Sequence, residues 1–374
     1  MKKVVYSLIA IIIILFSLII ILFNKGFVVG NSPPDWSSCK VLQNNGDDKI
    51  SVVFLSSEAN AKKFSDYLFS VEPYKSHREY FNIFYVDSPI TCEIYNGVAV
   101  LCYSRDNVKL ASVCPNDYII AVKDGYDKSV RSSTYMNFVT LNSAHQPLVV
   151  SHEFSHALAN LADEYVPASI PKGSYNCVSS CQDFSGLVCY PGCSKSDHFR
   201  SVDYGIMRSL TASDFGDFDS QTIISSISDQ LFKISNGRVS LTTHAVSDSL
   251  SPDCSSQKYY LFDGHYDDNG VMVIDGKSLE SGCVGGSGFG YYDYSLFLDD
   301  GELYSDGSFN PEFIIAESQD SGDSQIVGDY FVSDKQFYLK VPVVDNSRSL
   351  VISSGEEVVS QVYLNDDYSR FCKI

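Results

Sequence analysis

The sequence predicts an α+β chain in three parts, and three observations carry that prediction. An uncharged stretch near the N-terminus is long enough to span a bilayer, residues 50–237 mix short apolar strands with amphipathic helices, and residues 238–374 alternate apolar with polar positions without a helical period. A chain of 374 residues has material for two cored domains. An apolar fraction of 44%, with 25 Tyr and 23 Phe, leans towards strands. The formal net charge of -19 argues against nucleic acid as a partner, because proteins that bind a phosphate backbone concentrate Lys and Arg. Most of the acid lies late: residues 238–374 hold 23 Asp and Glu against 8 Lys and Arg, which reads as a solvated acidic surface.

Residues 4–23 carry no charge, and twenty helical residues rise about 30 Å, the thickness of a hydrocarbon core. Signal-peptide apolar regions are shorter and end at small residues, which Phe23-Asn24-Lys25-Gly26-Phe27 does not offer, so residues 1–25 are expected to be an uncleaved anchor. Lys2 and Lys3 precede the span and Lys25 follows it; the positive-inside bias then leaves everything after residue 25 outside the cytoplasm. Residues 26–49, rich in Asn, Ser, Pro and Gly, read as a stalk.

From residue 50 the pattern is a strand at 50–55, an amphipathic helix at 57–70 and a strand at 82–86. A hairpin follows around Asn96-Gly97, then strands at 117–122 and 135–141. Pro147 suits the first turn of a helix that runs on through "SHEFSHALANLADEY" at 151–165. A helix at 220–235 places Ile223, Ile227, Leu231 and Ile234 at core spacing, stops at Asn236-Gly237, and closes this domain. Beyond it, segments such as 337–341 and 350–353, separated by Asp, Gly, Ser and Asn turns, predict a β-sandwich-like domain over 238–374.

Eleven cysteines outside the cytoplasm are expected as disulfides. Cys177, Cys181, Cys189 and Cys193 could also read as a small zinc knuckle, but the compartment favours two disulfides, with three connectivities open. Cys92 and Cys102 flank the Asn96-Gly97 turn, Cys254 and Cys283 staple the C-terminal part, and the odd count leaves one thiol over.

His152-Glu153-Phe154-Ser155-His156 is H-E-x-x-H. One helical turn apart, the two imidazoles lie about 40° from each other around the axis and can reach one cation, with Glu153 at the edge of the same face. Such an arrangement suits a zinc peptidase, in which the glutamate moves the proton of a metal-activated water. A catalytic zinc takes three protein ligands. The H-E-x-x-H-x-x-G-x-x-H pattern fails here, with Ala159 at the glycine and Ala162 at the ligand position. Shifted by one residue, Asn160 tolerates the left-handed turn and Asp163 follows three later. On an unbroken helix Asp163 would lie about 10 Å beyond His156, so the two assignments stand or fall together. Glu164 and His198 are the alternative ligands, and an acidic surround hydrogen-bonded to the histidines is the alternative role for Asp163 and Glu164.

"HEFSHALANLADEY" resembles the H-E-F-G-H-x-x-A-G-L-A-D-E-Y segment of the IgA-peptidase-like (M64) zinc metallopeptidases, which are related to metzincins and share the one-residue shift. "YFNIFYVDSP" at 80–89 and "YGIMRS" at 204–209 are similar to further segments of that family, so the resemblance covers roughly residues 50–235. It implies a metzincin-like fold with Met207 as the hydrophobic base beneath the metal. Ser155 and Asn160 depart from glycines of the family pattern. Tyr165 and Tyr204 are candidate donors to a developing oxyanion, and the strand at 135–141 is the candidate sheet edge for an extended peptide. His77, His145, His244 and His265 lack partners at ligand spacing. Asp263, Asp267, Asp268 and Asn269 could offer oxygens to calcium, but without EF-hand spacing they read as an acidic loop.

The expected function is that of a membrane-anchored, outward-facing zinc endopeptidase acting on protein or peptide substrates. A non-catalytic adhesion protein on a peptidase-like scaffold is the competing class.

Overall fold

The computed structural model describes residues 34–364 apart from 185, 187, 238–253, 268–270, 286, 287, 289, 320–325 and 345. Strand β1 (Cys39–Gln43) is followed by β2 (Ile50–Leu55), helix α1 (Glu58–Leu68) and β3 (Phe81–Val86). All six residues of β2 are buried, as an unbroken apolar run in the middle of a covered sheet should be. Helix α1 starts where Ser57 accepts a hydrogen bond from the Asn60 amide, and it buries Ala61, Phe64 and Leu68 at helical spacing. The hairpin β4 (Glu93–Tyr95) and β5 (Ala99–Leu101) turns at Asn96 and Gly97, both at positive φ as its type of turn requires. Helix α2 (Arg105–Ala111), β6 (Tyr118–Lys123), β7 (Ser132–Tyr135), β8 (Phe138–Asn142) and helix α3 (Val149–Ala159) complete the run into the H-E-x-x-H segment.

The expected strand at 135–141 is two strands. Met136 takes φ 56 and reverses the chain, so β7 and β8 pair antiparallel. Beyond α3 come the small hairpin β9 (Tyr190–Cys193) and β10 (Lys195–Arg200), then helix α4 (Asp217–Gly237), which buries Ile223, Ile227 and Ile234. Among the described residues the C-terminal part contributes strands only: β11 (Lys258–Tyr266), β12 (Met272–Ser281), β13 (Tyr292–Leu298), β14 (Leu303–Phe309), β15 (Phe313–Gln319), β16 (Ile326–Val332), β17 (Phe337–Pro342), β18 (Ser347–Ser354) and β19 (Glu357–Tyr363). The fold class is therefore α+β, with four helices and mostly strands among the described residues.

The principal sheet has the order β1-β3-β2-β6-β8-β7-β15-β16. Its centre, β3-β2-β6-β8, is parallel, and the flanking strands on both sides are antiparallel. Helices α1, α3 and α4 contribute Phe64, Phe154 and Ile227 to the core on one face, with Phe54 and Ile120 from the strands. Two smaller sheets, β12-β11-β17 and β14-β13-β18-β19, share a core that includes Phe262, Ile274 and Leu339 from the first and Tyr294, Leu296 and Ile352 from the second. This is the sandwich expected over 238–374, but the strand pairing does not divide at residue 238. Strands β15 and β16 leave the sandwich and extend the principal sheet across β7. The described residues from Trp36 onward accordingly belong to one compact unit.

The expected stalk over 26–49 also ends earlier. Cys39, Val41 and Leu42 give an edge strand enough apolar surface to pair with β3, and Cys39 is bonded to Cys114. The other disulfides are Cys92–Cys102, Cys177–Cys193, Cys181–Cys189 and Cys254–Cys283. The second cluster is thus two nested disulfides and not a zinc knuckle. Cys372 and the apolar stretch at 4–23 lie outside the described residues; among those described, no helix is long and apolar enough to cross a membrane.

The Cys39–Cys114 bond closes 75 residues and Cys181–Cys189 closes 8. Loop-closure entropy makes the first worth about 4 kcal/mol and the second about 2.5 kcal/mol. Paired Cys-to-Ala replacement of Cys39 and Cys114 should therefore lower stability in urea denaturation more than replacement of Cys181 and Cys189. The reverse order would mean that β1 contributes little to the folded state.

Candidate metal centre

Every residue of α3 is buried, histidines and glutamate included. The helix stops where the chain enters the left-handed region at Asn160 (φ 49, ψ 34), whose amide still donates to the His156 carbonyl at 3.1 Å. Asparagine is one of the few side chains that takes this conformation at low cost. Its Nδ2 donates to the Lys172 carbonyl at 2.9 Å, which fixes the exit direction. The chain then folds back, and Asp163 returns to the histidines.

The return is held from behind. The Asn176 side chain accepts from the Ala162 amide at 2.7 Å and donates to the Ala162 carbonyl at 2.8 Å, and Ser194 Oγ donates to the Asp163 carbonyl at 2.6 Å. Ala162 packs against the Cys177–Cys193 disulfide. The cysteine cluster therefore serves the centre as a scaffold.

His152 Nε2 and His156 Nε2 lie 3.2 Å apart, and Asp163 Oδ1 is 3.2 Å from the first and 3.5 Å from the second. Four donors around a tetrahedral ion at 2.0–2.1 Å are separated from one another by about 3.3 Å. The three atoms thus outline one face of such a tetrahedron. His152 Nδ1 donates to the Ile206 carbonyl at 2.8 Å and His156 Nδ1 to the Leu161 carbonyl at 2.6 Å, so both Nε2 atoms present lone pairs towards Asp163. Burial, reinforced by the neighbouring His156 ring, holds the His152 pKa down to about 4, which keeps the ring neutral and ready to ligate. Two neutral imidazoles and a carboxylate, all buried, are a donor set that suits zinc.

Glu153 sits beside this triangle, fully buried. The Thr134 hydroxyl on β7 donates to Glu153 Oε2 at 2.6 Å and lies 3.0 Å from the Glu153 carbonyl oxygen, while Oε1 is buried without a hydrogen-bond partner. Burial pushes the Glu153 carboxyl up to about 8, against the opposing influences of His156 and the Thr134 hydroxyl. A cation among the ligands would return it to the ionised form at neutral pH.

The other sequence candidates fall elsewhere. Glu164 is buried facing Asp219 and away from the triangle; burial first, then the Asp219 charge, raises its pKa, with Arg200 opposing. His198 pairs with Asp197 at 2.9 Å on β10. Met207 is fully buried in the segment that also supplies the Ile206 carbonyl, and its own carbonyl accepts from the Glu164 amide at 2.9 Å. Tyr165 is buried in the same core cluster as Met207. Tyr204 is 48% exposed, with its hydroxyl on Ser209 at 2.8 Å and on Thr211. Ser155, where the similar family has glycine, bonds the Tyr74 hydroxyl at 2.7 Å. His145 is held by Ser132 and the Lys128 carbonyl, and His265 by Asp275. Asp267 closes its turn onto the Val271 amide at 2.9 Å, and Asp263 lies 3.8 Å from Arg105; Asp268, Asn269 and His244 are outside the described residues. Sequence reasoning missed Thr134 and Asn176, since an isolated Thr or Asn carries no spacing signal.

No protein-family model and no curated protein matches the chain.

Asn160→Gly keeps the left-handed turn but gives up the Nδ2 bond to the Lys172 carbonyl; it should lose about 1 kcal/mol and keep most of the metal affinity. Asn160→Val should lose about 1–2 kcal/mol more from the strained left-handed backbone and weaken zinc binding because Asp163 loses its approach. Urea denaturation and competition with a chromogenic chelator read the two effects. Equal zinc affinity in the two variants would detach Asp163 from the turn.

Proposed function

We propose that the chain is a zinc endopeptidase of metzincin-like architecture, with His152, His156 and Asp163 as ligands and Glu153 as general base. The observation that carries the reading is the triangle of donors with tetrahedral spacing and a buried carboxylate beside it. The left-handed exit at Asn160, which lets Asp163 return to the histidines, supports the one-residue shift read in residues 152–165.

A zinc ion bound there supplies Lewis-acid polarisation of a carbonyl and acidifies water at neutral pH. The chain's own residues do the remainder. Glu153 accepts the proton of the attacking water and delivers it to the departing amine, a role for which its two oxygens are differently dressed. Oε2 is fixed by Thr134, and Oε1 is left to exchange the proton. The Nδ1 bonds of both histidines to backbone carbonyls hold the rings in the ligating tautomer. Met207, fully buried in the core cluster next to Ile206, would serve as the apolar base of the centre that the resemblance implies. Tyr165, buried in the core, and Tyr204, whose hydroxyl bonds Ser209 at 2.8 Å, are the two candidate oxyanion donors.

Five disulfides support an extracytoplasmic address, with residues 4–23 as anchor. A non-catalytic scaffold draws support from the full burial of the centre, yet it gives no reason for Glu153 to be held by Thr134 against the cost of burying a carboxylate.

Purified protein should hold about one zinc and cleave unfolded protein. Glu153→Gln should retain the metal and lose roughly 10²- to 10⁴-fold in rate; Asp163→Ala should weaken zinc binding by about 100-fold or more. Elemental analysis and a fluorogenic casein assay measure both. Cleavage undiminished in Glu153→Gln would remove the glutamate from the chemistry.

A further inference from the structure

An extended peptide can bind by adding a strand to an exposed sheet edge, and the edge beside the proposed centre is the candidate place for a substrate chain. The strand beside Glu153 is β7, whose Thr134 holds the carboxylate. That edge is already taken. Ile315 lies opposite Thr134, Ala316 opposite Ser133 and Glu317 opposite Ser132, antiparallel, with β16 paired beyond. Strands lie about 4.8 Å apart, so β15 runs one spacing from β7, while a chain added outside β16 would run about 14 Å from it, out of reach of Glu153.

Two further observations agree. His152, Glu153 and Asp163 are 0% exposed and His156 is 5%, so the centre is closed to a polypeptide. The start of β15 is also tied to the segment that follows the ligand Asp163: Glu312 is bonded to Lys172 in that segment, and it accepts from the Tyr292 hydroxyl at 3.2 Å. The Lys172 carbonyl is in turn the group held by Asn160.

We propose that the β15–β16 hairpin is an intramolecular occupant of the peptide-binding edge, paired with β7 as a substrate chain would be, so that it must leave β7 before a polypeptide can be cleaved. This rests on the peptidase reading above. The hairpin is anchored by Ile314, buried in one apolar cluster with Tyr135 and Phe138, and by the Glu312–Lys172 pair. Release thus requires a competing chain or loss of those anchors. The unsubstituted chain therefore cleaves slowly, and its substrates are extended segments able to displace a strand.

The test uses the full chain, with Ala316→Pro to remove a backbone donor from β15 and Glu312→Ala to free Lys172 in case the proline variant fails to fold. Hydrogen exchange at residues 132–135 and 313–316, zinc content and casein cleavage are measured together. Both variants are expected to exchange these amides at least 10-fold faster, to keep the zinc content of the unsubstituted chain, and to raise kcat/KM at least 10-fold. Faster exchange without faster cleavage, or no change in either, overturns the proposal and leaves the peptidase reading intact, provided that the unsubstituted chain cleaves and Glu153→Gln does not. Absence of zinc, or cleavage that survives Glu153→Gln, overturns that reading and the proposal with it.

Discussion

One backbone residue in the left-handed region sets the chemistry of this molecule. Had α3 continued past Ala159, Asp163 would have travelled about 10 Å along the axis from His156. The reversal at Asn160 instead brings its carboxylate to 3.2 Å from His152 Nε2. A buried cluster of two lone-pair donors and an anion is costly unless something positive joins it. The same burial raises the Glu153 pKa, and a bound cation would lower it again.

The surroundings are organised around that turn. Asn176 pins both backbone groups of Ala162, the Cys177–Cys193 disulfide backs Ala162, and Ser194 holds the Asp163 carbonyl. On the opposite side, β7 supplies Thr134 to the base and accepts β15 along its other edge. The C-terminal half is thus part of the sheet that frames the centre, besides forming its own sandwich. Lys109 and Arg105 on α2, paired with Glu280 at 2.8 and 3.4 Å, add a polar seam between the sandwich and the first half.

Local chemistry made part of this legible in the sequence. The i, i+4 histidines, the tolerance of Asn160 for positive φ and the hairpin at Asn96-Gly97 are all readable within a few residues, and the apolar runs of β2 and α4 announce their burial. What was not legible is non-local or chemically unmarked. Cys39 and Cys114 are 75 positions apart with nothing to pair them, and β15 meets β7 from about 180 residues away. The turn at Met136 lacks a glycine, so β7 and β8 read as one strand, and β1 read as a stalk because its neighbours are Asn, Ser and Pro. Thr134 is one threonine in a strand until the fold sets it against Glu153.

The central claim concerns three donor atoms and one ion, and zinc-edge X-ray absorption of the purified protein addresses it directly. The account predicts a four-coordinate zinc with two imidazole nitrogens at about 2.0 Å and oxygen donors at about 2.0–2.2 Å, with no sulfur scatterer, and loss of one light-atom donor in Asp163→Ala. A shell containing sulfur at about 2.3 Å, or imidazole scattering unchanged on replacing His152 and His156, would contradict it.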